Sequence, residues 1–193
     1  IRIEGVDIRQ VTQQHLRAKI GSVPQKGMLL SGTIHDNLIF GDRSASDEVV
    51  EKAAKTAQAS SFISEKEDQF NFKLAQNATN LSGGQKQRLS IARALVKQAD
   101  IYIFDDSFSA LDFKTDAALR KALHQEVGTS TLFIVGQRVA TIMHADQIVV
   151  LEQGRIAGIG KHRDVLKTCP GYYEIASSQL SQEELARPEA PDP

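Results

Sequence analysis

Ser82, Gly83, Gly84 and Gln85 form the segment of this sequence whose residue types most directly suggest chemistry. Ser82, followed three residues later by Gln85, is a capping-box pattern that predicts the start of an amphipathic helix. Capping alone does not explain two glycines in the first turn, because each glycine lowers helix stability. Glycines leave the unpaired N–H groups of a helix start open to an anion, and a phosphate is the natural candidate. A structural cap and a phosphate site both stay open on these residues alone.

A carboxylate at the end of an apolar run is a second candidate for a functional residue. Residues 101–104, Ile-Tyr-Ile-Phe, predict a buried strand that ends at Asp105. The carboxyl edge of a parallel sheet is where α/β folds bind ligands. A carboxylate at that edge can hold Mg²⁺ through water beside the phosphates of a nucleotide. The alternative is a surface aspartate that caps the following turn.

Strands and helices alternate along the chain and would position these residues. Apolar runs predict strands that end near Pro24 and Asp105, and further strands at 130–135, 147–151 and 155–159. Helical spacing and capping residues predict a helix that begins at Ser46 and others at 13–20, 33–40, 83–97, 115–125, 138–143, 162–168 and 172–185. The alternation predicts an α/β fold with a parallel sheet, into which a helical subdomain of about 44–97 is inserted. Residues 65–80 are polar and are expected to be irregular.

The composition is that of an ordinary globular domain. The 193 residues are 41% hydrophobic and 24% charged with a formal net charge of −1, which argues against a disordered chain, a nucleic-acid-binding surface and a polybasic membrane patch. No apolar run approaches the roughly 18 residues that a membrane-spanning helix needs. The single cysteine, Cys169, is expected to be unreactive, and the five histidines show no metal-ligand spacing. Residues 187–193 hold three of the five prolines and are expected to be disordered, which leaves 1–186 as one partial domain.

Three segments between residues 81 and 112 resemble motifs of the ATP-binding-cassette (ABC) ATPases. Leu-Ser-Gly-Gly-Gln at 81–85 resembles the signature motif of that family, and the similarity continues through Leu95. The strand that ends at Asp105 resembles a Walker B strand, and Ser109–Asp112 resembles the D-loop. A match over so many residues is specific.

Two further segments extend the resemblance toward both ends. Gln25 resembles the Q-loop glutamine, and residues 29–41 are similar to exporter-type members of the family. Residues 131–142 resemble the switch segment, in which Gln137 stands where the family normally carries His. The implied fold is a P-loop NTPase-like ABC ATPase core with a parallel sheet and an α-helical subdomain, truncated at its N-terminus.

The resemblance implies ATP and Mg²⁺ as cofactors and gives each matching residue a role. Two such domains would hold two ATP molecules head to tail, and Ser82–Gln85 would complete the site of the partner domain. Asp105 and Gln25 would hold Mg²⁺ through water, and Asp112 in the D-loop would run along the partner. Gln25 would also face the membrane domain.

Three positions depart from the family pattern. The general base after the Walker B aspartate is usually Glu, and Asp106 is one methylene shorter, which withdraws the carboxylate by about 1.5 Å from the attacking water. Gln137 can donate to a γ-phosphate but cannot exchange a proton near neutral pH. Gln76 replaces an acidic residue that often precedes the signature in exporters, so the contact of that loop with the membrane domain is in doubt. The first two departures resemble the degenerate subunit of a heterodimeric multidrug exporter.

The sequence contains no Gly-x-x-x-x-Gly-Lys-[Ser/Thr] phosphate loop. In the family this loop precedes the strand at which the chain begins, so the chain is interpreted as the C-terminal part of a nucleotide-binding domain. Its expected function is to couple ATP binding and hydrolysis to export, at the cytoplasmic face of a membrane and together with transmembrane domains. Alone, the chain is expected to be inactive.

Two other classes of function stay open. One is a non-transport ABC ATPase of the repair or translation type, although the long coiled-coil inserts or basic patches expected there are absent from this sequence. The other is a regulatory nucleotide-binding module that does not hydrolyse ATP. No nucleic-acid partner is expected.

Overall fold

The computed structural model describes residues 1–186, and the tail that is expected to be disordered, 187–193, lies outside the described residues. The chain forms two compact units, one that ends at Val135 and one that begins at Gly136. The sequence, which shows no linker, does not predict this division. The helical subdomain of about 44–97 stays a prediction.

The first unit contains, in chain order, β1 (Arg2–Ile3), β2 (Val6–Asp7), α1 (Gln13–Ala18), β3 (Ile20–Val23), β4 (Gly32–Thr33), α2 (Ile34–Ile39), α3 (Asp47–Thr56), α4 (Ser60–Ser64), β5 (Lys73–Leu74), α5 (Gly83–Val96), β6 (Ile101–Asp105), α6 (Phe113–Glu126) and β7 (Thr131–Val135). Short 3₁₀ helices lie at Ile8–Gln10, Gln69–Asn71 and Gln76–Ala78. The second unit contains α7 (Val139–Ile142), β8 (Ile148–Glu152), β9 (Arg155–Gly160), α8 (His162–Thr168), α9 (Pro170–Gln179) and α10 (Gln182–Ala186).

Strands β3, β6 and β7 form a parallel sheet with β6 in the middle, which confirms the expected α/β architecture. Ile101 of β6 lies opposite Ile20 of β3 and Thr131 of β7. Tyr102 and Phe104 alternate with less buried residues along β6 and point into the core. Because parallel strands share one direction, the segments that follow all three strands leave from the same edge of the sheet.

Helix α5 packs against α2, α3 and β3 and supplies much of the core of the first unit. Leu89, Ile91 and Ala92 are fully buried along it. The helix ends at Val96, one residue before the boundary expected from sequence. Its position under the sheet brings its N-terminus close to the segment that follows β6.

Two expectations differ from the structure. The segment 65–80 is not wholly irregular, because Leu74 is buried and its short strand β5 pairs antiparallel with β4. The helix expected over 172–185 is two helices, α9 and α10. They separate at Leu180, whose backbone is extended. The N–H of Ser181 then donates to a carboxylate oxygen of Glu184 and the N–H of Glu184 donates to the hydroxyl of Ser181, a capping box that starts a new helix.

The second unit has a core of its own, built on the expected hairpin of β8 and β9. Val165 and Ala176 from α8 and α9 are fully buried there. Nδ1 of His162 lies 2.7 Å from the hydroxyl of Tyr172, and burial raises the pKa of Tyr172 to about 12. Among the helices within residues 1–186, none has the length and apolar character needed to cross a membrane.

Gly21 on β3 has no room for a methyl group and generates a first prediction. A Cβ at this position would lie 2.7 Å from Cδ1 of Tyr102 and 3.1 Å from the carbonyl oxygen of Ala94. We expect Gly21→Ala to lower the free energy of unfolding by about 1–3 kcal/mol, because the rigid ring and the helix backbone must move. Urea unfolding measures the change, with Ser22→Ala on the same strand as the control. Equal midpoints for the two variants would contradict the packing described here.

Candidate functional site

The carboxyl edge of the sheet holds three residues that the sequence predicts to be functional. Gln25 follows β3, Asp105 ends β6, and Asp106 follows directly. The side-chain amide of Gln25 donates a hydrogen bond from Nε2 to Oδ2 of Asp106 over 3.2 Å. Asp105 is exposed beside them. Sequence separation gives no hint of the contact between Gln25 and Asp106, which depends on the order of the strands.

Asp106 sits in a sharply turned backbone that several hydrogen bonds fix. Its φ is 45°, in the left-handed region that Asp adopts more readily than most residues. Its N–H donates to the carbonyl of Val135 over 2.8 Å, and its carbonyl accepts from the hydroxyl of Ser109 over 2.8 Å. The next residue, Ser107, is fully buried and donates from its hydroxyl to the carbonyl of Val23 over 3.1 Å. The turn is therefore tied to all three strands of the sheet.

The start of α5 has the capping box that the sequence predicts. The N–H of Gln85 donates to the hydroxyl of Ser82 over 3.2 Å, and the N–H of Ser82 donates to Oε1 of Gln85 over 3.0 Å. Both polar side chains thus have a structural role. That role does not exclude a ligand at the backbone N–H groups that remain.

The two glycines after Ser82 differ in their surroundings. A Cβ at Gly84 would lie 3.2 Å from the carbonyl oxygen of Ala110, so close packing against the segment after β6 accounts for this glycine. Apart from its two chain neighbours and the backbone of its own helix, a Cβ at Gly83 would meet no atom of the described chain within 4 Å. Gly83 is also exposed and begins the helix. Packing therefore gives no reason for glycine at this position, whereas access for a ligand does.

Asp112 caps helix α6, a local role that the sequence analysis missed. Its carboxylate accepts hydrogen bonds from the N–H of Thr115 over 2.9 Å and from the Thr115 hydroxyl over 2.7 Å. These bonds, the backbone one foremost, hold the pKa of Asp112 below its usual value. The cap is therefore intact above the usual pKa of Asp and weakens as pH falls through the lowered value. An aspartate just before a helical run is the signal that could have predicted it.

Gln137 lies in the second unit, just after its first residue. Its carbonyl accepts a hydrogen bond from Nε2 of Gln179 over 2.9 Å, while Oε1 of Gln179 accepts from the N–H of Val139 over 2.8 Å. The side chain of Gln137 is exposed. Gln179 on α9 thus fixes the backbone of the switch segment, and no sequence pattern pointed to it.

Gln76 begins a 3₁₀ turn that leads to the signature segment. The two residues after it, Asn77 and Ala78, have φ values of 54° and 49°. Lys86 on α5 donates from Nζ to the carbonyl of Asn77 over 3.0 Å. This lysine ties the turn to the helix, a link that the sequence analysis did not find.

The edge of the sheet offers the oxygen ligands that Mg²⁺ prefers. Asp105 presents an exposed carboxylate, and the Gln25 amide that donates through Nε2 keeps Oε1 for a further contact. Mg²⁺ is usually bound in proteins by one or two carboxylates and is completed by water and substrate phosphates. The residues present fit an ion held in that way.

Comparison with known proteins identifies the family. The sequence model described as ABC transporter matches residues 1–109, more than half of the chain. The chain therefore belongs to the ABC transporter family, and the family resemblance seen in the sequence is confirmed. Members of this family bind ATP, typically with Mg²⁺.

Individual relatives are exporters and ATP-binding proteins of that family. The chain is 41% identical over 182 residues to an uncharacterized ABC transporter ATP-binding protein of Mycobacterium tuberculosis, a match that covers 93% of this chain and 31% of the relative. It is 41% identical over 175 residues to the ATP-dependent lipid A-core flippase of Desulfotalea psychrophila, covering 91% of this chain and 30% of the flippase. The solved structure of a bacterial Atm1-family ABC exporter with ATP bound matches with a TM-score of 0.89 and 38% identity, over 94% of this chain and 32% of that chain. The chain thus spans about a third of the length of these relatives.

The contrast between the two signature glycines generates a second prediction. We expect Gly83→Ala to leave the free energy of unfolding unchanged or to raise it by up to about 1 kcal/mol, because alanine favours the helix and the added methyl group meets no neighbour. Gly84→Ala should lower it, since its methyl group presses on the Ala110 carbonyl. Urea unfolding of the two variants gives the comparison, each serving as the control for the other. If Gly83→Ala and Gly84→Ala lowered the free energy of unfolding equally, packing would account for both glycines, and ligand access would not be needed to explain Gly83.

Proposed function

We propose that this chain is the ATP-binding part of an ABC exporter and couples ATP binding and hydrolysis to the export of a substrate across a membrane. The start of α5 carries the proposal, because Gly83 is exposed and the space beside it is open. A phosphate bound there would meet backbone N–H donors and the positive end of the helix dipole. The relatives named as an exporter and a flippase favour transport over repair or translation. Export of multiple drugs stays a prediction.

The proposed partner is a second nucleotide-binding domain, arranged head to tail with this one. Ser82–Gln85 would complete the ATP site of that partner, with the N–H groups of Gly83 and Gly84, which the capping box leaves over, directed at the γ-phosphate. Ser82 and Gln85 hold each other in the capping box, so the helix start is organised before nucleotide arrives. Preorganised donors of this kind stabilise the charge that develops in the transition state. Asp112, as the cap of α6, would shape the adjoining surface.

The site on this chain's own side is proposed to be degenerate, which implies a heterodimer with a catalytically competent partner. Asp105 and Gln25 would hold Mg²⁺ through water, where it neutralises phosphate charge. Asp106 occupies the position of the general base, but its shorter carboxylate already accepts a hydrogen bond from Gln25. Gln137 cannot take up or release a proton near neutral pH. Such a site would bind ATP and hydrolyse it slowly.

The complete protein is proposed to sit in a membrane, with this part at its cytoplasmic face. Transmembrane domains of the same transporter would bind the substrate, and the segment that follows Gln25 would contact them. Alone, the chain is proposed to be inactive.

Nucleotide binding by the chain alone is the third prediction. We expect very weak or undetectable binding of Mg-ATP, because the sequence has no phosphate loop and the carboxylates of Asp105 and Asp106 repel any phosphate whose charge Mg²⁺ does not neutralise. Isothermal titration calorimetry measures it, with buffer containing Mg²⁺ alone as the control. A dissociation constant in the low micromolar range would contradict the expectation.

The unequal roles of the two sites give the fourth prediction. In the complete transporter we expect Ser82→Ala to lower ATPase turnover by about 10²- to 10³-fold, as removal of one transition-state donor does elsewhere. Asp106→Asn should change turnover little, because that carboxylate is too short to act as an efficient base. A competent base would be worth about 10²- to 10⁴-fold, so steady-state ATPase assays resolve the difference.

The reverse pattern would overturn the assignment. If Asp106→Asn abolished turnover while Ser82→Ala were tolerated, this chain would supply the catalytic side of the main site. If neither substitution lowered ATPase turnover, the result would instead favour a regulatory module. Ser61→Ala, at an exposed position of α4 outside both motifs, serves as the control.

A further inference from the structure

The segment that follows Gln25 is attached to the helix that begins with the signature. The N–H of Gly27 donates to Oε1 of Gln87 on α5 over 3.3 Å. A guanidinium nitrogen of Arg93, further along α5, donates to the carbonyl of Met28. Gln87 is two residues beyond Gln85, and Gly27 is two residues beyond Gln25. A short path therefore links the Q-loop glutamine with the signature.

The contact between this segment and α5 leaves no spare room. A Cβ at Gly27 would lie 2.6 Å from the hydroxyl oxygen of Ser90 and 3.0 Å from Oε1 of Gln87. Gln87, Ser90 and Arg93 follow one another at intervals of three residues, so they lie along one side of the helix. Gln87 and Ser90 are buried, with 3% and 2% of their surfaces exposed. The segment is therefore packed on α5 as well as hydrogen-bonded to it.

Packing alone does not account for a glutamine at position 87. Nε2 of Gln87 is buried and finds no hydrogen-bond partner among residues 1–186. A buried donor without a partner is unfavourable, and an apolar side chain of similar length would avoid it. The feature that an apolar side chain could not supply is the acceptor Oε1, which holds Gly27.

We propose that Gln87 is a positioning residue that fixes the segment carrying Gln25 to the helix carrying Ser82–Gln85. A displacement of Gln25 then moves the start of α5 with it, because Gly27 cannot slide past Ser90. For its effect on catalysis the inference rests on the proposed function, in which that helix start completes the site of the partner domain. Through Gln87, a displacement of Gln25 at this chain's own ATP site would therefore alter the signature residues that contact the ATP of the partner domain.

The test compares two substitutions of similar size. Gln87→Met removes the acceptor, whereas Gln87→Glu keeps an oxygen at the same reach but buries a charge. Hydrogen exchange of the Gly27 amide is followed by NMR on the 193-residue chain, and unfolding by urea is measured in parallel. We expect Gln87→Met to speed exchange about tenfold, which corresponds to the loss of one ordinary hydrogen bond. Gln87→Glu should keep exchange slow although it is the less stable of the two.

A purely structural role for Gln87 predicts the opposite order. Exchange at Gly27 would then follow global stability and be fastest in Gln87→Glu, and this result would overturn the proposal. If Gln87→Glu does not fold, Gly27→Ala replaces it. That variant pushes the segment off α5 and should speed exchange of the amide at position 27, whereas Lys26→Ala, at an exposed neighbour, should not. Slow exchange in Gly27→Ala would also overturn the proposal.

The catalytic consequence is tested in the complete transporter with Ser82→Ala as the reference. We expect Gln87→Met to lower kcat about tenfold with an unchanged KM for ATP, and Gln87→Glu to retain most of the activity, because a misplaced signature affects the transition state more than the ground state. If Ser82→Ala lowers turnover but Gln87→Met does not, the positioning role is refuted. If neither lowers turnover, the proposed function of the signature has failed, and the exchange experiment still decides whether Gln87 holds the segment.

Discussion

Close packing around helix α5 is the constraint on which the rest of the first unit depends. Gly21, Gly27 and Gly41 belong to three different segments, and each approaches the helix too closely for a methyl group. A Cβ at Gly41 would lie 2.2 Å from the carbonyl oxygen of Arg93, and one at Gly27 would lie 2.6 Å from the hydroxyl of Ser90. Interiors packed to this density do not deform gradually, so the strand β3, the segment after it and the turn after α2 keep fixed positions relative to the helix. The signature at the N-terminus of α5 is held by the same contacts.

The sequence predicted those parts of the fold that are encoded locally. The apolar strand that ends at Asp105 and the capping box of Ser82 are read from neighbouring residues, and both are present. The hydrogen bond between Gln25 and Asp106 depends on which strands are adjacent in the sheet. The periodicity of apolar residues along the sequence does not give the order of the strands. The sequence did not predict the acceptor role of Gln87 for a related reason. A glutamine within a helix cannot be distinguished from other polar residues until the segment that it contacts is known.

Three of the residues at the start of α5 have a structural role. Ser82 and Gln85 form the cap of α5, and Gly84 makes room for the segment after β6. Asp112 caps α6 through Thr115. These residues would be retained for stability alone, whatever the protein does. Gly83 is the exception, since nothing in the described chain occupies the space beside it. The case for a ligand at this helix start therefore rests on the residue for which packing offers no explanation.

The residue that follows β6 also has a backbone constraint of its own. Asp106 has a left-handed backbone, a conformation in which Asp is several-fold enriched over most residues. A glutamate at such a position would have a strained backbone, but its carboxylate would extend as far as a general base needs. Backbone strain of this kind is found at functional sites. Aspartate at position 106 relaxes the backbone and shortens the carboxylate at once. A subunit whose own site does not hydrolyse ATP efficiently, as proposed for this chain, would not need a strained glutamate at this position. The turn itself would still be needed, because its hydrogen bonds connect the three strands.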